Sequence, residues 1–313
     1  MSLWEAMLLG VIQGLTEFLP ISSTAHLLVT RELLQHPNPK DSFTTVVQLG
    51  TLVAVFIYFR REILALLKAI WHDAMVNELG STPDSRLAYL IVLGSIPAGA
   101  VGYLFQKKIK EFFYNTPSMA VVAIVFALIM LISELWYRRQ KSLTTQQDDI
   151  TWKQAIWVGV WQMLALMPGA SRSGCTISGG LFAGLNRAVA ARFSFLISLP
   201  TILAAGLKDL YDEYKQFNTY QTAVDWLRAP HADEPPELIQ RFQQEVEAGP
   251  GLFGSNDQML ALLVATVVSG VIGYLSIAWL LGFLRKYNMG LFVVYRLVLG
   301  ATLLALVSKG LVK

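Results

Sequence analysis

Charge is scarce in this chain. Of 313 residues, 15% are charged and 54% are hydrophobic, against roughly 25% charged in an ordinary soluble domain. So few polar groups cannot coat a globular surface, which excludes a water-soluble protein and makes lipid the expected solvent. Cysteine is scarcer still: Cys175 stands alone, which excludes an intramolecular disulfide and leaves no thiolate cluster for a metal. The near balance of 25 basic and 22 acidic residues offers no argument for nucleic acid as a partner. A cleavable signal peptide is not expected either, because Glu5 stands where a basic n-region would lie and the first apolar segment carries Glu17 and His26.

Long apolar runs, by contrast, are plentiful. Residues 43–59, 87–106, 112–133 and 258–284 are in the range of the roughly 18 to 20 residues a spanning helix needs. A further run, 287–308, is interrupted only by Arg296, and 193–207 spans with its flanks. The reading is an all-α polytopic membrane protein with about six transmembrane helices, at about 43–59, 87–106, 112–137, 189–207, 258–284 and 287–309.

Two further segments are apolar but sharply broken. They read Gln13-Gly-Leu-Thr-Glu17-Phe-Leu-Pro20-Ile-Ser22-Ser23-Thr24-Ala-His26 and Gln162-Met-Leu-Ala-Leu-Met-Pro168-Gly169-Ala-Ser171-Arg172-Ser173-Gly174-Cys-Thr176. Their leading arms, Ala6 to Leu19 and Gln154 to Met167, are 14 residues each, about 21 Å of helix against a hydrocarbon core of about 30 Å. Each arm stops at proline and restarts in a Ser/Thr cluster suited to capping a second helix. The pattern reads as two re-entrant helix-turn-helix elements, residues 6–34 and 154–186, with tips at membrane depth where irregular backbone must be enclosed by protein or line a wet cavity. A single proline-kinked spanning helix is the alternative.

Similar residues recur at an offset of 149 to 150: Gly10-Val-Ile-Gln13 with Gly159-Val-Trp-Gln162, Ser22-Ser23-Thr24 with Ser171-Arg172-Ser173, and the Phe43, Gln48, Thr51 stretch with Phe193, Ser198, Thr201. Three spans separate the two broken elements, so the second enters from the opposite side. The expectation is a pair of inverted repeats, 1–150 and 151–313, with the site at their interface, a transporter-like plan. Basic clusters at Arg60-Arg61 with Lys68, Arg138-Arg139 with Lys141, and Arg285-Lys286 then fall on the cytoplasmic side, with Lys107, Lys108 and Lys110 as exceptions outside. A polar insertion, 208–256, falls outside too. Its nine acids against four bases give a net charge of −5. It should be irregular from Pro230 to Pro236 and form an amphipathic surface helix over Glu237 to Ala248.

Ionisable groups at membrane depth are costly, so they mark function by default. Gln13 and Glu17 share a helix face, and a carboxylate there suits a hard divalent cation that bridges phosphates. Ser22, Ser23 and Thr24 open a half-helix whose free N–H groups attract an anion. His26 lies three residues beyond Ser23, placed to exchange a proton with its hydroxyl. Arg172 can grip phosphate oxygens bidentately, and Ser171, Ser173, Thr176, Gly169 and Gly174 complete a cradle. The bland readings are that Glu17 and Arg172 form a structural ion pair, that the hydroxyls are interhelical glue, that His26 is a packed polar residue, and that Gly179, Gly180, Gly184 and Cys175 serve close packing.

These two motifs resemble those of the undecaprenyl-diphosphate phosphatase family, the bacitracin-resistance proteins, in order and over essentially the whole chain. The resemblance implies a bacterial inner-membrane enzyme that removes the terminal phosphate of a C55 isoprenoid diphosphate, recycling the carrier for peptidoglycan, from a site facing the periplasm. By the motif, Gln13 and Glu17 lie at a divalent metal, Mg²⁺ or Ca²⁺. The resemblance also implies Ser23 as nucleophile with His26 assisting it, although the residues themselves leave open which of the two takes the phosphoryl group; Arg172 binds and stabilises the phosphates, and Ser171, Ser173 and Thr176 contact them. A polyprenyl diphosphate lipid and the bilayer are the implied partners, and a homodimer stays open. Gln13 where a second acid can stand, Ala25, Cys175 and the long insertion depart from the pattern. A lipid flippase or transporter is the rival function, since the expected architecture is shared with transporters.

Overall fold

The structure, a computed structural model, describes residues 1–34, 43–228, 236–247, 249 and 256–310. Among them run twelve α-helices: α1 (Leu3–Phe18), α2 (Ser23–Leu33), α3 (Phe43–Tyr58), α4 (Arg60–Val76), α5 (Pro83–Phe113), α6 (Thr116–Tyr137), α7 (Trp152–Leu164), α8 (Arg172–Phe182), α9 (Arg187–Arg228), α10 (Pro236–Glu247), α11 (Asn256–Lys286) and α12 (Gly290–Ser308). A lone bridge between Thr144 and Leu185 is the only strand-like pairing among the described residues. The all-α membrane class therefore holds.

Both broken segments are helix-turn-helix units, α1 with α2 and α7 with α8, and their local chemistry matches position for position. Ser2 with Glu5, and Thr151 with Gln154, form reciprocal capping boxes at the starts of α1 and α7, each cap worth about 1 kcal/mol. Each turn ends in a serine held at positive φ, 73° at Ser22 and 68° at Ser171. Such backbone costs of order 1–3 kcal/mol and persists only where its surroundings enforce it. The long helices enforce it by close approach. A Cβ on Gly10 would come within 2.5 Å of the Ala265 carbonyl oxygen on α11, and one on Gly159 within 2.1 Å of the Gly94 oxygen on α5. Only glycine lets these backbones touch. Cap, crossing glycine and strained serine each recur 149 residues apart.

Among the described residues five helices are long and apolar enough to cross a bilayer: α5, α6, α9, α11 and α12. The remaining expected span, 43–59, is α3, 16 residues or about 24 Å, and it stops where Arg60 and Arg61 bring charge. The helices extend beyond the apolar runs that mark them. The 87–106 and 112–137 runs do not part between 106 and 112; α5 continues to Phe113 and α6 begins at Thr116, because the 107–111 stretch is rich in helix formers and Asn115 caps the next helix through the Ser118 N–H. The 189–207 run lies within one longer helix. α9 runs 42 residues to Arg228, about 63 Å, since nothing between 208 and 228 breaks a helix and Lys208 pairs with Asp212 one turn on. Helix α4 was not expected; its buried Leu66, Ala69 and Asp73 follow helical spacing, masked in the sequence by Arg60, Arg61 and Lys68. The expected surface helix in the insertion is α10, whose Phe242 stacks on Trp226 of α9 at 4.3 Å; residues 230–235 and Ala248 lie outside the described residues.

Asp73 pins the α4–α5 connection. Its carboxylate accepts the Gly80 N–H at 2.6 Å, the Ser81 N–H at 3.3 Å and the Ser81 hydroxyl. Burial pushes the carboxyl up, but these bonds outweigh it and hold the group at about 2, below its ordinary 3.8. A carboxyl depressed in the folded state stabilises fully above its unfolded pKa and loses that contribution as pH falls through the folded one. The melting-temperature gap between wild type and Asp73→Asn in detergent should thus be full at neutral pH and shrink as pH drops from about 4 towards about 2. A gap independent of pH over that window would show that the charge is not what ties the loop.

Candidate active site

Glu17 ends α1 one turn above Gln13, and both are buried, at 7% and 1% exposure. One carboxylate oxygen accepts Gln13 Nε2 at 2.9 Å and Ser23 Oγ at 2.8 Å; the other accepts Gln48 Nε2 at 2.8 Å and an Arg172 guanidinium nitrogen. Helices α1, α2, α3 and α8 each send one donor. A carboxylate offers about four lone-pair sites, so this one is saturated. The ion pair to Arg172 joins the two tips, as the structural reading of these two residues required; removing one partner of such a buried pair leaves an uncompensated charge and costs about 3–5 kcal/mol.

The second tip presents Arg172 from the first turn of α8, capped by Ser171 Oγ, which accepts the Gly174 N–H at 3.3 Å and lies 3.3 Å from Ser173 Oγ. Beside the ion pair is a small recess lined by Glu17, Phe18, Arg172, Ser173, Ser194, Phe195, Ser198 and Ile202, with a cavity volume of about 10 Å³. Helix α9 supplies the third wall. Phe18 meets Phe195 edge to face at 5.4 Å, so the recess has a charged side and an aromatic side.

His26 is placed differently from expectation. Its Nδ1 lies 2.7 Å from the Ser22 carbonyl oxygen, which can only accept, so Nδ1 carries the proton; Nε2 then accepts from the Tyr295 hydroxyl at 2.6 Å. Ser23 Oγ turns instead to Glu17. Several cradle residues are likewise spent on the fold. Thr176 is fully buried and its hydroxyl bonds Arg172 O at 2.8 Å and Ser194 Oγ at 2.5 Å. Gly169, at φ 95°, has its carbonyl bonded by Arg296, and a Cβ there would come within 2.6 Å of Met119 O. The Gly174 N–H is consumed by the cap. Ser22 shapes its turn, and Thr24 sits half-buried in the first turn of α2.

The structure thus gathers Gln13, Glu17, Ser23 and Arg172 around one point, with Ser173 on the recess wall. It adds residues the sequence reading passed over: Gln48, Ser194, Ser198, Tyr295 and Arg296. Gln48 and Ser198 had a signal, as polar residues at matching places in two apolar runs. Arg296 had a stronger one, a charge in mid-span. For a divalent ion the donor set is one carboxylate, the carboxamides of Gln13 and Gln48, and the Ser23 hydroxyl. Among the described residues no three His, Cys, Asp or Glu side chains gather to form a dedicated cage. One carboxylate with neutral oxygens is donor chemistry that suits a hard cation completing its shell with water and substrate phosphate, as Mg²⁺ commonly does, and such an ion would take the place of a donor that Glu17 now holds.

The chain matches the family model described as bacitracin resistance protein BacA over residues 6–302. It is 41% identical to a protein of Chloroherpeton thalassium named undecaprenyl-diphosphatase, over 99% of this chain and 98% of that one. Proteins of the same name from Prosthecochloris aestuarii and Chlorobium chlorochromatii are each 38% identical, covering 99% and 100% of both chains respectively. On a match spanning 6–302 and carrying both tips, the chain belongs to the bacitracin resistance protein BacA family.

Proposed function

We propose that this protein hydrolyses undecaprenyl diphosphate to undecaprenyl phosphate and inorganic phosphate, in the bacterial inner membrane, from a site open to the periplasm. The observation that carries the reading is Ser23 Oγ donating at 2.8 Å to Glu17, itself paired with Arg172 from the opposite tip. A hydroxyl nucleophile, a base and a phosphate-binding cation meet at one point, which phosphoryl transfer requires.

The terminal phosphate enters the recess and draws the Arg172 guanidinium from Glu17, since the fork suits phosphate oxygens as well as carboxylate. Ser23 already donates to the Glu17 oxygen that Arg172 does not hold, so a proton acceptor is in place. Ser23 Oγ attacks the terminal phosphorus and its proton passes to Glu17. The bond from that phosphorus to the bridging oxygen breaks, and the electron pair leaves on the lipid monophosphate. Water then bonds to phosphorus, the P–Oγ bond breaks, Ser23 regains its proton from Glu17, the proton shed by water passes to solvent, and inorganic phosphate departs. Glu17 and Gln13 would hold Mg²⁺ or Ca²⁺, which when bound neutralises charge on the phosphate oxygens. Ser23 is favoured over His26 as nucleophile because both imidazole nitrogens are engaged elsewhere. The matched caps, crossings and strained serines, 149 residues apart, support inverted repeats whose shared interface is this site.

Purified protein in detergent micelles should release phosphate from C55 diphosphate and from farnesyl diphosphate, lose that activity to a chelator, and regain it with Mg²⁺. A flippase would release none, as micelles have no second compartment. Arg172→Lys, which keeps a cation but not the planar fork, should lose about 10³-fold or more in kcat, with KM changing less. Near-normal turnover would reduce Arg172 to a structural partner of Glu17. For topology, Gln244→Cys on α10, in a Cys175→Ala background, should react with membrane-impermeant thiol reagent on intact spheroplasts; labelling only after lysis would put the insertion inside.

A further inference from the structure

Arg296 lies in the middle of α12 and is 0% exposed. Its guanidinium bonds three backbone carbonyls: Ala123 O on α6 at 3.3 Å, Pro20 O at 3.4 Å and Gly169 O at 2.7 Å. Pro20 belongs to the first tip and Gly169 to the second, and they are 149 residues apart, the same offset that relates the caps, the glycine crossings and the strained serines. Each carbonyl precedes its tip's positive-φ serine by two residues. One side chain therefore grips equivalent peptides of both turns, at the point where Ser23 and Arg172 begin their helices.

The chemistry of this contact is unlike ordinary packing. A guanidinium buried without a carboxylate bonded to it is costly at membrane depth, and an apolar residue would hold α12 on α6 at less cost. What an apolar residue cannot do is bond three carbonyls from three segments at once. The planar fork with five N–H donors can.

Resting on the phosphatase reading above, we propose that Arg296 is a positioning residue: it fixes the spacing of the two tips so that Ser23 from one and Arg172 from the other meet at Glu17. It touches neither substrate nor the reacting atoms. Its loss acts through misalignment, and a displacement of about 1 Å costs about 10²-fold in rate.

The test compares Arg296→Lys and Arg296→Met with wild type for phosphate release from farnesyl diphosphate in micelles, alongside size-exclusion profile and melting temperature. Lysine keeps the charge but is a point donor; methionine keeps the bulk without donors. Both should remain folded, with kcat down about 10²-fold and KM within about threefold of wild type. Wild-type kcat in a folded Arg296→Lys overturns the proposal, and so does a loss carried mainly by KM, which would put Arg296 on the substrate. If the lysine variant is not recovered folded, Arg296→Met decides by the same criteria; recovery of neither as a monodisperse protein also overturns it, by making Arg296 a requirement of the fold. Absence of phosphate release from wild type would instead sink the phosphatase reading.

Discussion

A buried carboxylate that must be paired governs the arrangement of this molecule. Glu17 lies where water cannot reach its full valence, and an unpaired ion there would carry a penalty of several kcal/mol. Its four donors come from four helices, one of them on the second tip. The tips are consequently held face to face, α3 is drawn in through Gln48, and α8 through Arg172. The strain at Ser22 and Ser171, and the glycine crossings that let α1 and α7 sit directly on their neighbours, are tolerated because this convergence and the Arg296 contact fix the turns.

The hydroxyl groups sort themselves by what they bond. Thr16, Thr51, Ser198, Thr201 and Ser276 donate to carbonyls three or four residues back on their own helices. These are the bonds a polar side chain makes in a membrane helix when it has no other task. Ser23 leaves its helix and donates to a carboxylate on another. At the two tips that bond sets Ser23 apart from hydroxyls bonded to their own helices.

Much of this was legible in the sequence because it depends on local composition. Run length and low charge gave the all-α membrane class, and Pro20, Pro168 and Gly169 beside serine clusters gave the two broken elements. Gln13, Glu17, Ser23 and Arg172 declared themselves as polar groups in oily surroundings. What stayed hidden depends on partners distant in sequence. His26 could be read only against Ser23, its neighbour, whereas its ring answers to Tyr295, 269 residues away. Arg296 was visible as an interruption, but nothing in its own helix says that it reaches both tips. Thr176 and Gly174 looked like phosphate ligands because the motif is polar; their bonds turn out to be those that build α8 and fasten it to α9. The extent of α9 was missed for another reason: polarity was taken to end a helix when it ended only the membrane-facing part of one.

The position of Arg296 has a consequence for how the protein is made. Among the described helices Glu17 stands on α1, the first in chain order, and the guanidinium that grips both turns on α12, the last. For most of translation the nascent chain therefore carries an acid and two strained turns without the contacts that hold them. The Arg296 bonds to both turns form only once α12 has been made and packed beside α6.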